Sequence, residues 1–173
     1  MIKSQTYWFT GLSGAGKTTL CKKLVNYLRL QDKQVVMLDG DELREIMGAT
    51  AAHTRDERLQ LTMRYAQLCH MIGVQGVDVA IATISLFREV HEWNRLNLPG
   101  YVEIFVDVPL DELARRDPKL IYARAAKGEL KNVAGVDFRV NYPEAPDVLL
   151  TWREGWTVND AFKELLDKLE SLA

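Results

Sequence analysis

Residues 11–18 read Gly11-Leu12-Ser13-Gly14-Ala15-Gly16-Lys17-Thr18 and match the pattern GxxxxGK followed by Ser or Thr at every fixed position. Glycines at that spacing let the backbone curl until successive N–H groups point at phosphate oxygens, and a helix starting at the last turn adds its positive end. Lys17 then reaches the β- and γ-phosphates, Thr18 offers its hydroxyl to Mg2+, and Thr19 continues the turn. The chemistry implied is binding of a nucleoside triphosphate, ATP or GTP, together with Mg2+.

A second group of reactive side chains follows. Asp39-Gly40-Asp41 puts two carboxylates side by side. One can orient Mg2+ or its waters, and the other can accept a proton from an attacking hydroxyl. The same pair also reads as a helix cap and a turn. Arg44 lies three residues after Asp41 and so on the same helical face. Arg55, Arg58 and Arg64 follow, each of which read singly is a solvated surface arginine.

These groups need a scaffold that brings them to one edge. Short β-branched or aromatic runs alternate with segments of helical period, the pattern of a parallel sheet covered on both faces. Strands are expected at residues 6–10, 34–38, 78–84, 102–106 and 148–150. Helices are expected from Lys17, over 39–47, over 55–72, near 89–96 and after the capping sequence Thr157-Val158-Asn159-Asp160. The first strand leads into the glycine loop, and the second ends at Asp39, at the carboxyl edge where open α/β folds bind ligands. The polar stretch between Asp117 and Pro146 is too long for an ordinary connection and reads as a lid or substrate loop, or as a solvated insertion.

Composition narrows the function classes. The chain has 173 residues, 22 Lys+Arg against 24 Asp+Glu, and a net charge of −2, which excludes a polynucleotide binder held by bulk positive charge. With 47% hydrophobic and 27% charged residues, one domain spanning residues 1–173 and burying a core is expected. Cys21 and Cys69 have neither disulfide-framework nor zinc spacing, which points to a reducing compartment. No run is long and apolar enough to cross a bilayer, and the N-terminus lacks a signal-peptide pattern, so a cytoplasmic protein without membrane contact is expected.

Taken in order, the glycine loop, DGDELR, ATIS and the RDPK segment with Tyr122 resemble the adenylylsulfate kinase family from about Tyr7 to Asp147. The resemblance implies an α/β, nucleotide-kinase-like P-loop NTPase with a doubly wound parallel five-stranded sheet and a mobile lid over about 117–146. It also implies a homodimer, and transfer of the γ-phosphate of MgATP to the 3′-hydroxyl of adenylylsulfate. By resemblance, Gly11, Leu12, Ser13, Gly14, Ala15, Gly16, Lys17, Thr18 and Thr19 bind ATP, while Asp39 and Asp41 are the acidic pair, with Asp41 the expected base and, beside Thr18, the metal ligand. Arg44 and Arg58 match acceptor-binding arginines. Ile84 and Ser85 match the start of an Ile-Ser-Pro segment that lines the acceptor site; its serine is sometimes described as a phosphoserine intermediate, which makes Ser85 a candidate catalytic residue. Direct in-line transfer needs no such step. Lys119 and Tyr122 match the start of the lid, and Arg116 or Lys119 is a lid cation able to offset charge on the transferred phosphoryl.

The departures concern the acceptor. The family's two phenylalanines that sandwich adenine correspond here to His53 and Val133. A family Asn is Leu61, Ile-Ser-Pro is Ile84-Ser85-Leu86, and Lys-Gly-Leu-Tyr is Lys119-Leu120-Ile121-Tyr122. Stacking of a base on an aromatic contributes about 1–3 kcal/mol, so loss of one aromatic face weakens the adenine site while the phosphate machinery is kept. Residues 82–95, ATISLFREVHEWNR, also resemble a divergent branch acting in capsule pathways on cytidine diphosphoramidate, with Trp93 and Asn94 as candidate acceptor contacts. The expected function is thus an MgATP-dependent kinase of a small anionic nucleotide, with adenylylsulfate the family default and a cytidine diphosphate derivative the rival. A non-catalytic P-loop regulator and a kinase of a sugar acid or shikimate-like metabolite are further alternatives.

Overall fold

The computed structural model describes residues 4–49 and 54–172. Five strands form one sheet: β1 (Thr6–Thr10), β2 (Val35–Asp39), β3 (Asp78–Ala82), β4 (Tyr101–Asp107) and β5 (Val148–Thr151). Their order is β2-β3-β1-β4-β5 and every pairing is parallel. Around them lie α1 (Lys17–Arg29), α2 (Gly40–Ile46), α3 (Arg55–Gly73), α4 (Arg88–Asn97), α5 (Leu110–Arg116), α6 (Ile121–Ala126) and α7 (Val158–Glu170).

Parallel strands demand crossover helices, and these cover the sheet on both sides. Phe9, Ala80 and Ala82 join one apolar cluster with Leu20, Leu24 and Leu28 of α1 and Leu165 of α7. Trp8, Val79 and Ile81 point the other way, to Leu43 of α2, Leu61 and Tyr65 of α3 and Val90 of α4. This alternation along β1 and β3 is the period-two register of a strand buried on both faces. Each fully buried large side chain contributes on the order of 1.5–3 kcal/mol. Two helices begin with capping boxes, Thr54 with Glu57 and Thr157 with Asp160, which satisfy N–H groups that a helix start leaves unpaired.

The strand and helix boundaries differ from expectation in instructive places. The second strand is shifted by one residue, because Asp39 still pairs with Ala82 across the ladder. The third ends at Ala82 rather than at residue 84, since Ser85 adopts φ 38 and the chain leaves the sheet. Helix α5 was not expected, although Pro109 before it, Asp111 and Glu112 in its first turn, and Arg115 and Arg116 in its last are helix-boundary signals.

The segment over 117–146 is an ordered cap with little regular structure. Asp117 opens it, with its carboxylate accepting from the N–H groups of Ile121 (2.7 Å), Tyr122 (3.2 Å) and Ala123 (2.8 Å) at the start of α6. Asp137 closes a tight loop by accepting from Asn132 N (2.8 Å) and Val133 N (2.5 Å). Among the described residues no helix is long and apolar enough to cross a membrane.

Candidate active site

The glycine loop leaves the central strand under a steric constraint. A Cβ on Gly11 would lie 2.5 Å from the Val106 carbonyl oxygen, so only glycine lets the chain turn this closely against β4. Gly14 and Gly16 then take φ 80 and φ 94, and α1 starts at Lys17. Ser13, Gly14, Gly16, Lys17, Thr18 and Thr19 face a cavity of about 480 Å3. Gly11, Leu12 and Ala15 instead form the base of the turn, with Leu12 and Ala15 packed in the core. Lys17 is buried and donates from Nζ to the Leu12 carbonyl at 2.7 Å. Burial pushes its pKa down to about 8, with Asp41 and Asp39 pulling upward and Lys119 adding to the fall.

The two carboxylates divide between two partners. Asp39 Oδ2 accepts from the Thr18 hydroxyl at 2.7 Å, and its Oδ1 accepts from Asp41 N at 2.9 Å, capping α2. Asp41 Oδ2 pairs with Lys119 Nζ of the lid. The carboxylate on Thr18 is therefore Asp39, whereas the sequence had put Asp41 beside Thr18 as the metal ligand. A hydroxyl with one adjoining carboxylate suits Mg2+, which binds through one or two such ligands and fills its octahedron with waters and phosphate oxygens. Among the described residues no group of three or more His, Cys, Asp or Glu could hold a metal ion by itself. Gly40 lets α2 start against β3, where a Cβ would meet Thr83 Oγ1 at 2.9 Å.

Opposite the loop the same cavity is cationic and partly aromatic. Arg44 of α2 and Arg58 of α3 both line it, and Arg44 Nε is buried without a hydrogen-bond acceptor. Burial first, and then the Arg44 charge, lowers the pKa of Arg58, while Asp137 compensates in part. Two guanidinium groups repelling one another across a cavity are an anion site. Tyr65 donates to the Gly40 carbonyl at 3.2 Å, and burial raises its phenol pKa against the opposing pull of Arg44. Ile84, Ser85 and Lys119 also line the space. Ser85 is 2% exposed and its hydroxyl has no hydrogen-bond partner, so no base among the described residues is in place to activate it.

Several expected contacts fall elsewhere. Val133 does not reach the cavity: it packs in the core at 6% exposure, because Asp137 folds the 132–138 loop back on it. His53 lies outside the described residues. Arg116 is held by Glu112 and lies over Trp152, away from the cavity. Asn94 is fully buried beside Tyr101, and Trp93 packs against His70. Sequence reasoning missed Phe138, whose ring does line the cavity, with the Arg58 guanidinium 4.9 Å from its centroid and Phe87 edge-on at 6.2 Å. The signal available was an aromatic directly after Gly135-Val136-Asp137, the segment that ends the lid motif.

Comparison with known proteins agrees with this arrangement. Residues 3–151 match the family described as adenylylsulphate kinase. A cytidine diphosphoramidate kinase of Campylobacter jejuni is 41% identical over 150 residues, covering 86% of this chain and 88% of that protein. An adenylyl-sulfate kinase of Deinococcus deserti is 38% identical over 162 residues, covering 94% and 89%. Among solved structures, the Mycobacterium tuberculosis APS kinase CysC in complex with AMPPNP and APS superposes with a TM-score of 0.88 at 30% identity, covering 98% of this chain and 99% of that one. With a phosphate loop, an acidic pair and a cationic cavity on a sheet of this order, and with kinship along nearly its whole length, the chain belongs to the adenylylsulfate kinase family of ATP-dependent phosphotransferases.

Proposed function

We propose that the protein transfers the γ-phosphate of MgATP to the 3′-hydroxyl of a small anionic nucleotide, and that this acceptor is a cytidine diphosphate derivative. The observation that carries the choice is the lid loop: the position of the family's adenine-stacking Phe is Val133, and it is turned into the core. Phe138 presents an aromatic face from a different point of the loop, backed by Arg58. The 41% identity to a kinase named for cytidine diphosphoramidate supports the same reading. A second reading, adenylylsulfate as acceptor, is favoured by the Deinococcus deserti and Mycobacterium tuberculosis relatives.

In this mechanism Arg44 and Arg58 hold the acceptor's anionic groups, leaving its sugar hydroxyl toward Asp41. Asp41 takes the hydroxyl proton, and its pairing with Lys119 places the lid cation next to the reacting groups. Lys17 and Lys119 offset charge on the transferred phosphoryl. Thr18 and Asp39 would hold Mg2+, which neutralises charge on the β- and γ-oxygens when bound. The lid excludes water that would otherwise accept the phosphoryl group. The resemblance further supports a homodimer in the cytoplasm; light scattering that reads a monomer would remove the first of these.

Coupled ADP release with each acceptor tests the proposal. Turnover of the cytidine diphosphate derivative well above that of adenylylsulfate is expected, and the reverse order would overturn the choice of acceptor. Asp41→Ala should abolish turnover with either; near-normal kcat would sink the base assignment.

A further inference from the structure

Ser85 is an exception in the cavity wall. It is a non-glycine residue at φ 38, 2% exposed, with a hydroxyl that has no partner. A left-handed backbone at a residue bearing a Cβ persists only where its surroundings hold it. Thr10 supplies part of the hold, donating to the Ile84 carbonyl at 2.5 Å and lying 3.5 Å from the Ser85 carbonyl. The stronger contact comes from α4, where His91 Nε2 lies 2.8 Å from the Ser85 carbonyl oxygen.

That oxygen can only accept, so His91 carries a hydrogen on Nε2. The other ring nitrogen faces Glu103, with Nδ1 3.9 Å from Oε1. Glu103 is 3% exposed and held in place by Arg95 Nη2 at 3.0 Å and the Tyr101 hydroxyl at 3.0 Å. Arg95 also pairs with Asp147, which accepts from Glu103 N at 2.8 Å. The imidazole thus lies beside a buried, satisfied carboxylate on β4, beyond hydrogen-bond distance, and bears on the one non-glycine residue among the described lining residues whose φ is positive. None of His91, Glu103 or Arg95 lines the cavity itself.

We infer that His91 is a positioning residue for the acceptor: its hydrogen bond to the Ser85 carbonyl holds Ser85 left-handed and fixes the wall against which the acceptor nucleotide rests. This rests on the proposed function for the identity of the ligand, though not for the backbone geometry. Ser85, Leu86 and Phe87 move together if the hold is lost, because the Leu86 carbonyl accepts from Asn141 N of the lid and Phe87 packs on Phe138. The acceptor side is the side more affected: the His91, Asn141 and Phe138 contacts all lie away from the phosphate loop, and Thr10, which precedes that loop, keeps its own bond to the Ile84 carbonyl when His91 is replaced.

The test uses His91→Leu, which removes the donor, and His91→Gln, whose side-chain amide N–H can take the place of Nε2. Losing one such hydrogen bond should raise KM for the cytidine diphosphate derivative about five- to tenfold while KM for ATP changes less than about twofold. His91→Gln should recover most of the loss. Equal changes in both KM values, or no recovery in His91→Gln, would mean that His91 only packs, and would overturn the inference. A crystal structure of His91→Leu without acceptor gives a reading independent of substrate identity: Ser85 is expected to leave the left-handed region, and Ser85 unmoved would also overturn it. If the unaltered enzyme phosphorylates neither nucleotide, the proposed function fails, and Ser85 in the variant structures decides the inference by itself.

Discussion

Lys17→Met makes the cost of the phosphate-binding cation measurable. Burial lowers the Lys17 pKa from 10.5 to about 8 in the folded chain. In the unfolded chain the ammonium is solvated and keeps its proton to higher pH. Between about pH 8 and 10.5 the unfolded state therefore binds more protons, and the stability contributed at this site rises with pH through that window. Each unit of displacement corresponds to ~1.4 kcal/mol, so the whole shift amounts to about 3 kcal/mol. Methionine has a similar length and no charge; it forfeits the bond to the Leu12 carbonyl, at a cost of about 1 kcal/mol. Urea denaturation of both proteins should show Lys17→Met gaining most, relative to the parent, at pH 7, and losing about 3 kcal/mol of that relative stability by pH 10.5. Groups that do not interact with Lys17 are common to both proteins and cancel in the difference, and replacing Lys119, whose charge bears on Lys17, by Met in both proteins removes the coupled cation. A stability difference independent of pH from 7 to 10.5 would refute the buried, strained ammonium. The variant should not transfer phosphate at any pH.

Phe138→Ala should raise KM for the acceptor on the order of tenfold, as expected when a base loses its stacking platform, with little change in KM for ATP. The same change removes the Arg58 contact and the edge-on Phe87, lowering stability by about 1–2 kcal/mol in thermal unfolding. Gly40→Ala should cost about 1–3 kcal/mol, since the new methyl meets Thr83 Oγ1 at 2.9 Å and the Ala82 carbonyl at 3.2 Å. Because Gly40 lies between Asp39 and Asp41, kcat should fall more than ATP affinity, which steady-state kinetics and nucleotide titration separate.

The phosphate half of the site was legible because its chemistry is local. The turn over 11–18 and the acid pair over 39–41 are each contiguous, and each lies where a strand gives way to a helix. The strands were legible for the same reason, as period-two or continuous apolar runs. The acceptor half was legible in part: Arg44, Arg58, Ile84, Ser85 and Lys119, named from the sequence, all line the cavity, whereas the aromatic wall was not, because it comes from the lid and contacts at such separations leave no periodicity to read. Val133 shows the failure most plainly: position along the family motif put it in the site, while two hydrogen bonds from Asp137 turned the loop and put Phe138 there instead. The division of labour between Asp39 and Asp41 was hidden similarly, since it depends on Thr18 and Lys119, 21 and 78 residues distant.

The sheet separates two apolar clusters, one beneath the nucleotide loop and the other beneath Arg44 and Arg58, and Phe138 packs against both. Leu86 and Val133, two positions where the chain departs from the family's motifs, pack in the first cluster with Leu12 and Ala15 of the nucleotide loop, while Leu61 packs in the second. A change of volume at Leu86 or Val133 is therefore felt beneath the nucleotide loop, and the two halves of the site are not free to be repacked one at a time.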